Sequence, residues 1–280
     1  MRIVVVGGTG MLGGCLCRDL SDAGHDVVSL SRRSEPRVDL ADRGQLTQAL
    51  DVLRPHAVAH VAANTSVHDC ELNPDSALAV NCDAPAEAAE WCSANRAKLV
   101  AISTDSVFDG TKGNYAEIDE PFPLNVYATT KLLGEADVIA TGGTVIRTTF
   151  LGPEPRSLVG WLFSRLAAGG TVTGYEDTRF SPLFAGDLAR FLRRLLEDPV
   201  EGVLHVGGRD PITKLDVALA VRSAIGTGDV VAGRMPQSPV RRPRDTTLDS
   251  TRARSYFGDD FDGGWHRAIE EAVIAARALP

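Results

Sequence analysis

The chain has 280 residues, and at 44% hydrophobic it can bury a sizeable core in one large or two modest domains. A formal net charge of −8 argues against a nucleic-acid partner or an anionic membrane surface. No apolar run approaches the ~18 residues of a membrane span, no secretory signal precedes the first strand, and the five cysteines lack C-x-x-C spacing, so reduced thiols in a cytoplasmic protein are expected.

Arg2-Ile3-Val4-Val5-Val6 is a β-branched run with the composition of a buried parallel strand. Gly7-Gly8-Thr9-Gly10-Met11-Leu12-Gly13-Gly14 follows at once; Leu12, Leu16 and Leu20 then recur at helical spacing until Gly24 stops the segment. Residues 26–30 read as the next strand. Strand, glycine loop, helix and strand form the context in which a glycine motif signifies a dinucleotide site. Gly7, Gly10 and Gly13 stand at G-x-x-G-x-x-G spacing. Glycines there allow a tight turn, backbone approach to a pyrophosphate at the helix N-terminus, and close helix–strand packing. An acidic residue ending the second strand would bind a ribose 2′-hydroxyl, whereas arginine accommodates a 2′-phosphate. Ser31-Arg32-Arg33 stands there with no carboxylate before Glu35, which favours NADPH over NADH.

Asp39-Leu40 precedes a helical segment at 43–53, for which Asp39 is a candidate cap. Residues 57–61 read as a strand with a packed histidine, His60. Ala62-Ala63-Asn64 follows at its carboxyl end, where ligands settle in open parallel sheets and small residues let a cofactor lie against backbone. Residues 74–95 form a long helical pattern, with Ala77, Val80, Ala84, Ala88 and Trp91 on one stripe and Asn81 interrupting it. Leu99 to Ile102 is a buried strand ending in Ser103-Thr104-Asp105. After a Gly/Asp/Pro-rich loop, Tyr127 opens a helix running to about 140, with Lys131 one turn later on the same face. An ammonium beside a phenol lowers its pKa from about 10. With the Thr104 hydroxyl holding a carbonyl oxygen, that set suits protonation of an alkoxide as hydride arrives, or the reverse. Tyr-x-x-x-Lys spacing alone is a weak signal; the N-terminal glycine loop gives it weight. With a fifth strand at 144–147, strands and helices alternate through about residue 150, which predicts an α/β fold with a doubly wound parallel sheet of Rossmann type.

The second half is less regular. Pro153 and Pro155 mark a loop before a helix at 157–168; a polar segment at 177–182 is assigned to the sugar-nucleotide side; a helix covers 186–197, with Asp187 as one reading of its N-cap. A strand at 202–206, a helix at 213–225 capped by Thr213, a short strand at 230–232 and a terminal helix from Trp265 to Leu279 complete the chain. The prolines of Ser238-Pro239-Val240-Arg241-Arg242-Pro243-Arg244 keep it extended, and Arg242 offers a guanidinium fork for phosphate oxygens. The expected division is a cofactor-binding region at 1–150, with a return element near 186–210, and a smaller, mainly substrate-binding α/β region at 151–280.

The glycine loop with Thr104, Tyr127 and Lys131 resembles an extended short-chain dehydrogenase/reductase, closest to the dTDP-4-dehydrorhamnose reductase branch. The likeness is carried by Ala62 to Glu71, Val80-Asn81, Ser103 to Gly110, Tyr127 to Glu135, Asp177 to Ala189, Arg242-Pro243 and Thr247-Leu248-Asp249. It implies reduction of the 4-keto group of a nucleotide-activated sugar, with Thr104, Tyr127 and Lys131 catalytic. It places the cofactor against Gly7, Gly10, Met11, Leu12, Gly13, Ser31, Arg32, Arg33, Asp39, Leu40, Ala62, Ala63 and Asn64, with Tyr127 and Lys131 at the nicotinamide end. The substrate would meet Thr65, Val67, Thr104, Asp105, Phe150 and Arg242. Three departures stand out. Ala128 follows Tyr127 where glycine is common, DTRFSPL replaces a DQ-x-G-x-P-T pattern, and Cys15 stands where some members carry a magnesium-binding glutamate. No metal is therefore expected, and the chain is a monomer or homodimer. An epimerase with tightly held NAD, a ketoreductase on another carbonyl and a non-catalytic NADP-binding regulatory subunit are the rival readings.

Overall fold

The computed structural model describes residues 1–152, 154–155, 157–258 and 264–277. The chain opens with β1 (Arg2–Val6), α1 (Met11–Asp22), β2 (Asp26–Leu30), α2 (Gln45–Leu53) and β3 (Ala57–His60). A helical stretch follows: α3 (Val67–Leu72), α4 (Pro74–Leu78), a π-helical turn at Ala79–Asp83 and α5 (Ala84–Asn95). Then come β4 (Lys98–Ile102), α6 (Val126–Ala140) and β5 (Thr144–Thr148). The remainder comprises β6 (Phe150–Leu151), α7 (Leu158–Ala167), β7 (Thr171–Tyr175), β8 (Arg179–Phe180), β9 (Leu183–Phe184), α8 (Ala185–Glu197) and β10 (Gly202–Val206). It ends with β11 (Ile212–Thr213), α9 (Lys214–Ile225), β12 (Asp229–Gly233), α10 (Thr251–Phe257) and α11 (Trp265–Arg277).

Six strands form one parallel sheet in the order β10-β5-β4-β3-β1-β2. The chain winds outward in both directions from β1 and β3, the switch point where open α/β sheets take ligands. Val6 lies level with Leu30 and His60, so the carboxyl ends of β1, β2 and β3 meet where the glycine loop begins. One face of the sheet (Ile3, Val5, Ala59, Val100, Ile146) packs on Leu16 and Leu20 of α1 and Phe191 and Leu195 of α8. The other (Val4, Val58, Leu99, Val145) packs on Leu46 and Leu50 of α2, Trp91 of α5 and Val138 of α6. Burial on both faces is why these strands read as continuous apolar runs. A separate cluster, including Leu162, Leu166, Val172, Val217, Val221 and Val273, gathers α7, β7, α9 and α11.

Local departures from the expected elements have tertiary causes. The helix expected at 74–95 widens into a π turn at Asn81, whose buried amide accepts from the Asn64 N–H (2.8 Å) and donates to the Asn64 carbonyl and Thr130 Oγ1 (3.1 Å each). α2 starts at Gln45, later than expected, and Asp39 does not cap it. Glu87, on α5, accepts from the N–H groups of Gly44 (3.3 Å) and Thr47 (2.7 Å), while Asp39 accepts from Ala41 N–H (3.1 Å) within its own turn. Asp187 lies inside the first turn of α8, where Phe184 is the N-cap, and pairs with Arg190. β12 runs two residues longer than expected and pairs in parallel with β7. Pro153 of the expected loop and Leu279 of the expected terminal helix lie outside the described residues. Among the described residues no helix is long and apolar enough to cross a membrane, and no group of three or more His, Cys, Asp or Glu could hold a metal.

Candidate active site

Gly7 leaves β1 at φ +91°, its N–H on the Leu30 carbonyl (2.8 Å). A Cβ there would come within 2.7 Å of Ala62 N, and one on Gly13 would run into the Gly7 carbonyl. Neither position admits a side chain, and that is what seats α1 against the end of β1. Gly10 caps α1 without a side-chain bond, and no acidic residue occupies the first turn. The first N–H groups of Met11, Leu12 and Gly13 and the positive end of the helix dipole are therefore free for an anion. Leu12 turns its side chain into the core, so it can offer a ligand only backbone. Arg32 and Arg33 are exposed at the end of β2, and Arg33 reaches back to the Thr9 carbonyl (3.5 Å). Ser31 Oγ accepts from Arg33 N–H (3.0 Å), fixing that turn. Asp39 and Leu40 are half-buried beyond it, and Ala62 and Ala63 line the exit of β3 facing Gly7. The glycine cradle and the uncapped helix end fit the pyrophosphate of a dinucleotide. The Asn64 side chain is already engaged, donating to Asp69 (2.6 Å) and accepting from Ser66 N–H (3.3 Å), so its part is to hold this loop.

Tyr127 sits in the first turn of α6, and that turn is tied down from three sides. Asn125 Oδ1 caps Ala128 N–H (3.0 Å), Glu71 Oε1 accepts from Val126 N–H (2.9 Å), and Asn125 Nδ2 donates to the Arg241 carbonyl (3.0 Å). Lower on the helix, Glu135 is buried, receiving the Ser103 hydroxyl (2.5 Å) and a fork from Arg147 (2.7–3.1 Å), which locks α6 to β4 and β5. Lys131 is buried, and its ammonium donates to the Ile102 carbonyl at 2.7 Å. Burial pulls its pKa down to about 8, with Glu135 opposing. The Tyr127 phenol is pushed up to about 12, chiefly by desolvation, against a lowering contact from the Thr104 hydroxyl. This corrects the expectation that the phenol sits below its ordinary value: burial outweighs every lowering contact. The ammonium is engaged by a backbone carbonyl, and desolvation outweighs what remains. The phenol therefore holds its proton.

A cleft of about 200 Å³ opens before Tyr127. Of the expected substrate residues, Val67, Asp105, Phe150 and Arg242 line it. Thr104 is buried outside the lining, its hydroxyl against the Tyr127 phenol and donating to Asp105 (3.2 Å), and Thr65 is exposed outside the lining. Asp105 is buried, and desolvation raises its pKa despite hydroxyls from Thr246, Ser106 and Thr104. Thr178 and Arg179, from the polar segment at 177–182, share the lining with Lys214 and Thr246, which sequence reasoning missed. The capping box of Thr213 and Asp216 announces the start of α9, yet nothing local says that the next side chain meets the cleft. Asp177, within the polar segment at 177–182, serves the frame instead. It pairs with Arg244 and Arg234 and accepts from Met235 N–H (2.8 Å).

The family model described as RmlD substrate binding domain matches residues 1–277. A dTDP-4-dehydrorhamnose reductase of Mycolicibacterium smegmatis is 33% identical over 287 residues, covering 98% of this chain and 85% of that protein. The methionine adenosyltransferase 2 subunit beta of Bos taurus is 32% identical over 271 residues, covering 90% of this chain and 81% of its own. Among solved structures, a dTDP-4-dehydrorhamnose reductase of Bacillus anthracis in complex with NADP matches with a TM-score of 0.88 at 25% identity, over 98% of this chain and 99% of that one.

Proposed function

We propose, since the chain belongs to the RmlD substrate binding domain family, that it is an NADPH-dependent reductase of the 4-keto group of a nucleotide-activated 6-deoxyhexose, working in deoxysugar biosynthesis. The observation that carries this reading is a protonated phenol, Tyr127, facing a cleft at the carboxyl edge of a sheet whose first turn is a phosphate cradle. The similarity to dTDP-4-dehydrorhamnose reductases, one of them in complex with NADP, supports it.

The backbone at Gly7, Gly10, Met11, Leu12 and Gly13 would hold the cofactor pyrophosphate, and Arg32 and Arg33, beside Ser31, the 2′-phosphate. Asp39 and Leu40 would flank the adenine. Ala62, Ala63 and Asn64 would line the way to the nicotinamide, whose ribose Lys131 would take. NADPH supplies the hydride when bound. Thr104 orients the carbonyl oxygen. Tyr127 passes its proton to that oxygen as the carbon gains hydride, so the carbonyl becomes an alcohol and the tyrosine a phenolate. The Lys131 charge lowers the cost of that phenolate. Val67, Asp105 and Phe150 contact the sugar, with Thr65 at its rim, and Arg242 forks onto the substrate diphosphate. Residues 1–150 with the return through 186–210 act as the cofactor part, and 151–280 mainly as the substrate part. Five free cysteines support a cytoplasmic location, and the active unit is a monomer or homodimer.

Purified protein should oxidise NADPH when given a dTDP-4-keto-6-deoxyhexose, and NADH more slowly. No oxidation with any such sugar would end this reading. The similarity to a methionine adenosyltransferase subunit favours a second one, a cofactor-binding regulatory subunit. A synthetase that copurifies while NADPH stays unoxidised would select it.

A further inference from the structure

The chain leaving β4 and one face of α6 meet in matched steps. Tyr127, Lys131 and Glu135 follow one another at four-residue intervals and so share a face of the helix. Consecutive residues stand opposite them. The Ile102 carbonyl takes the Lys131 ammonium (2.7 Å), the Ser103 hydroxyl donates to Glu135 Oε1 (2.5 Å), and the Thr104 hydroxyl meets the Tyr127 phenol. The first and last of these contacts belong to the chemistry proposed above. The middle one does not: Ser103, Glu135 and Arg147 are each 5% exposed or less, and none of them lines the cleft. Arg147 Nη2 donates to Glu135 Oε2 (2.7 Å) and its Nε to both oxygens (3.1 Å each). Arg147 projects from β5 with its guanidinium over the Phe108 ring (5.3 Å). The Ser103 N–H is bonded to the carbonyl of Ile146, the residue before it (2.7 Å). Hydroxyl, carboxylate and guanidinium are thereby fixed to one point of the sheet.

A buried ion pair is a poor source of stability. Taking two charges out of water offsets most of their attraction, and an apolar pair of similar volume does as well or better. What the pair supplies is geometry. Apolar side chains tolerate small shifts of one element on another, losing uniqueness before stability. A guanidinium fork on a carboxylate that also takes a hydroxyl is satisfied in one arrangement. That arrangement brings Lys131 to the Ile102 carbonyl with two of its three N–H donors left for a ligand, and Tyr127 to Thr104. We propose that Glu135 is a positioning residue: clamped by Ser103 and Arg147, it sets the register in which α6 presents Lys131 and Tyr127 to the end of β4. It acts only through those two side chains. The assignment rests on the reductase reading above and extends it to residues behind the site.

The test compares wild type with two variants of the full chain. Glu135→Leu/Arg147→Leu removes both charges, leaves neither unpaired, and should melt close to wild type. With NADPH and a dTDP-4-keto-6-deoxyhexose its kcat should fall roughly 10- to 100-fold, while KM and the NADPH dissociation constant stay within about threefold. Ser103→Ala loses one bond and keeps the ion pair, so its kcat should lie between; it also carries the test should the double variant fail to fold. A second readout needs no turnover. Exchange of the Lys131 ammonium protons with water is followed by NMR on isotope-labelled protein below pH 8, where the amine is charged. Loss of the signal in Lys131→Met identifies it. Exchange should be slow in wild type and faster by about 10-fold or more in the double variant. Wild-type kcat in both variants, or unchanged exchange, overturns the proposal. A parallel loss of kcat, cofactor affinity and melting temperature also overturns it, since the clamp would then serve folding alone. If wild type oxidises no NADPH with such a sugar, the reductase reading falls, and ammonium exchange still decides whether Glu135 sets the register.

Discussion

At the scale of single residues, the pKa values of Tyr127 and Lys131 would decide which group limits the proposed reaction. The phenol stays protonated to about pH 12, whereas Lys131 loses its proton near 8. For reduction, kcat/KM should therefore fall above pH 8 as the charge that stabilises the phenolate disappears, and Lys131→Met should be slow and lack that limb. Absence of the limb in wild type would contradict this assignment. His60 makes a second prediction. Both its ring nitrogens are buried without partners, and burial beside the Lys131 charge holds its pKa at about 3. Below pH 6.5 the unfolded chain takes up a proton that the folded one refuses, so stability falls with falling pH, by about 2 kcal/mol at pH 5. His60→Leu should flatten that loss in denaturant titrations; an unchanged slope would place the effect elsewhere. Chemistry at this scale was half legible. The types and spacing of Thr104, Tyr127 and Lys131 could be read along the chain, but the direction of the phenol shift could not, because it depends on how far the first turn of α6 is buried.

At the scale of elements, α6 carries Tyr127 and Lys131, on which the proposed chemistry depends, and its start is held by residues distant in sequence. Asn125→Ala removes both the cap and the tether to Arg241, and should cost about 1 kcal/mol of stability. Because it loosens Tyr127 and leaves the glycine cradle alone, it should lower kcat several-fold while the dissociation constant for NADPH stays near wild type. Loss of cofactor binding in parallel would mean that the helix start supports the whole fold. Periodicity showed α1, α5, α6 and α9 because each has an apolar stripe against the sheet or the third core cluster. The π turn at Asn81 and the capping of α2 by Glu87 were hidden, since the partners that make them lie far along the chain.

At the scale of the molecule, six parallel strands bring two signals from opposite ends of the first half to one edge: the glycine loop after β1 and the hydroxyl run after β4. The alternation of strands and helices made that sheet predictable. The second half could be divided into elements but not assembled. Its cleft residues, Arg179, Lys214 and Thr246, come from three segments whose meeting depends on short pairings between β8 and β11 and between Arg179 and Asp245. An acidic chain thus carries a locally basic cleft mouth, suited to a diphosphate-bearing ligand.

The most direct measurement follows deuterium from NADPH labelled at the transferable position into a dTDP-4-keto-6-deoxyhexose, for wild type and Tyr127→Phe. The account predicts label at ring carbon 4 with wild type and transfer slowed by ~100-fold or more in the variant, which still binds NADPH normally. An unlabelled sugar with wild type, or transfer by Tyr127→Phe at the wild-type rate, would contradict it.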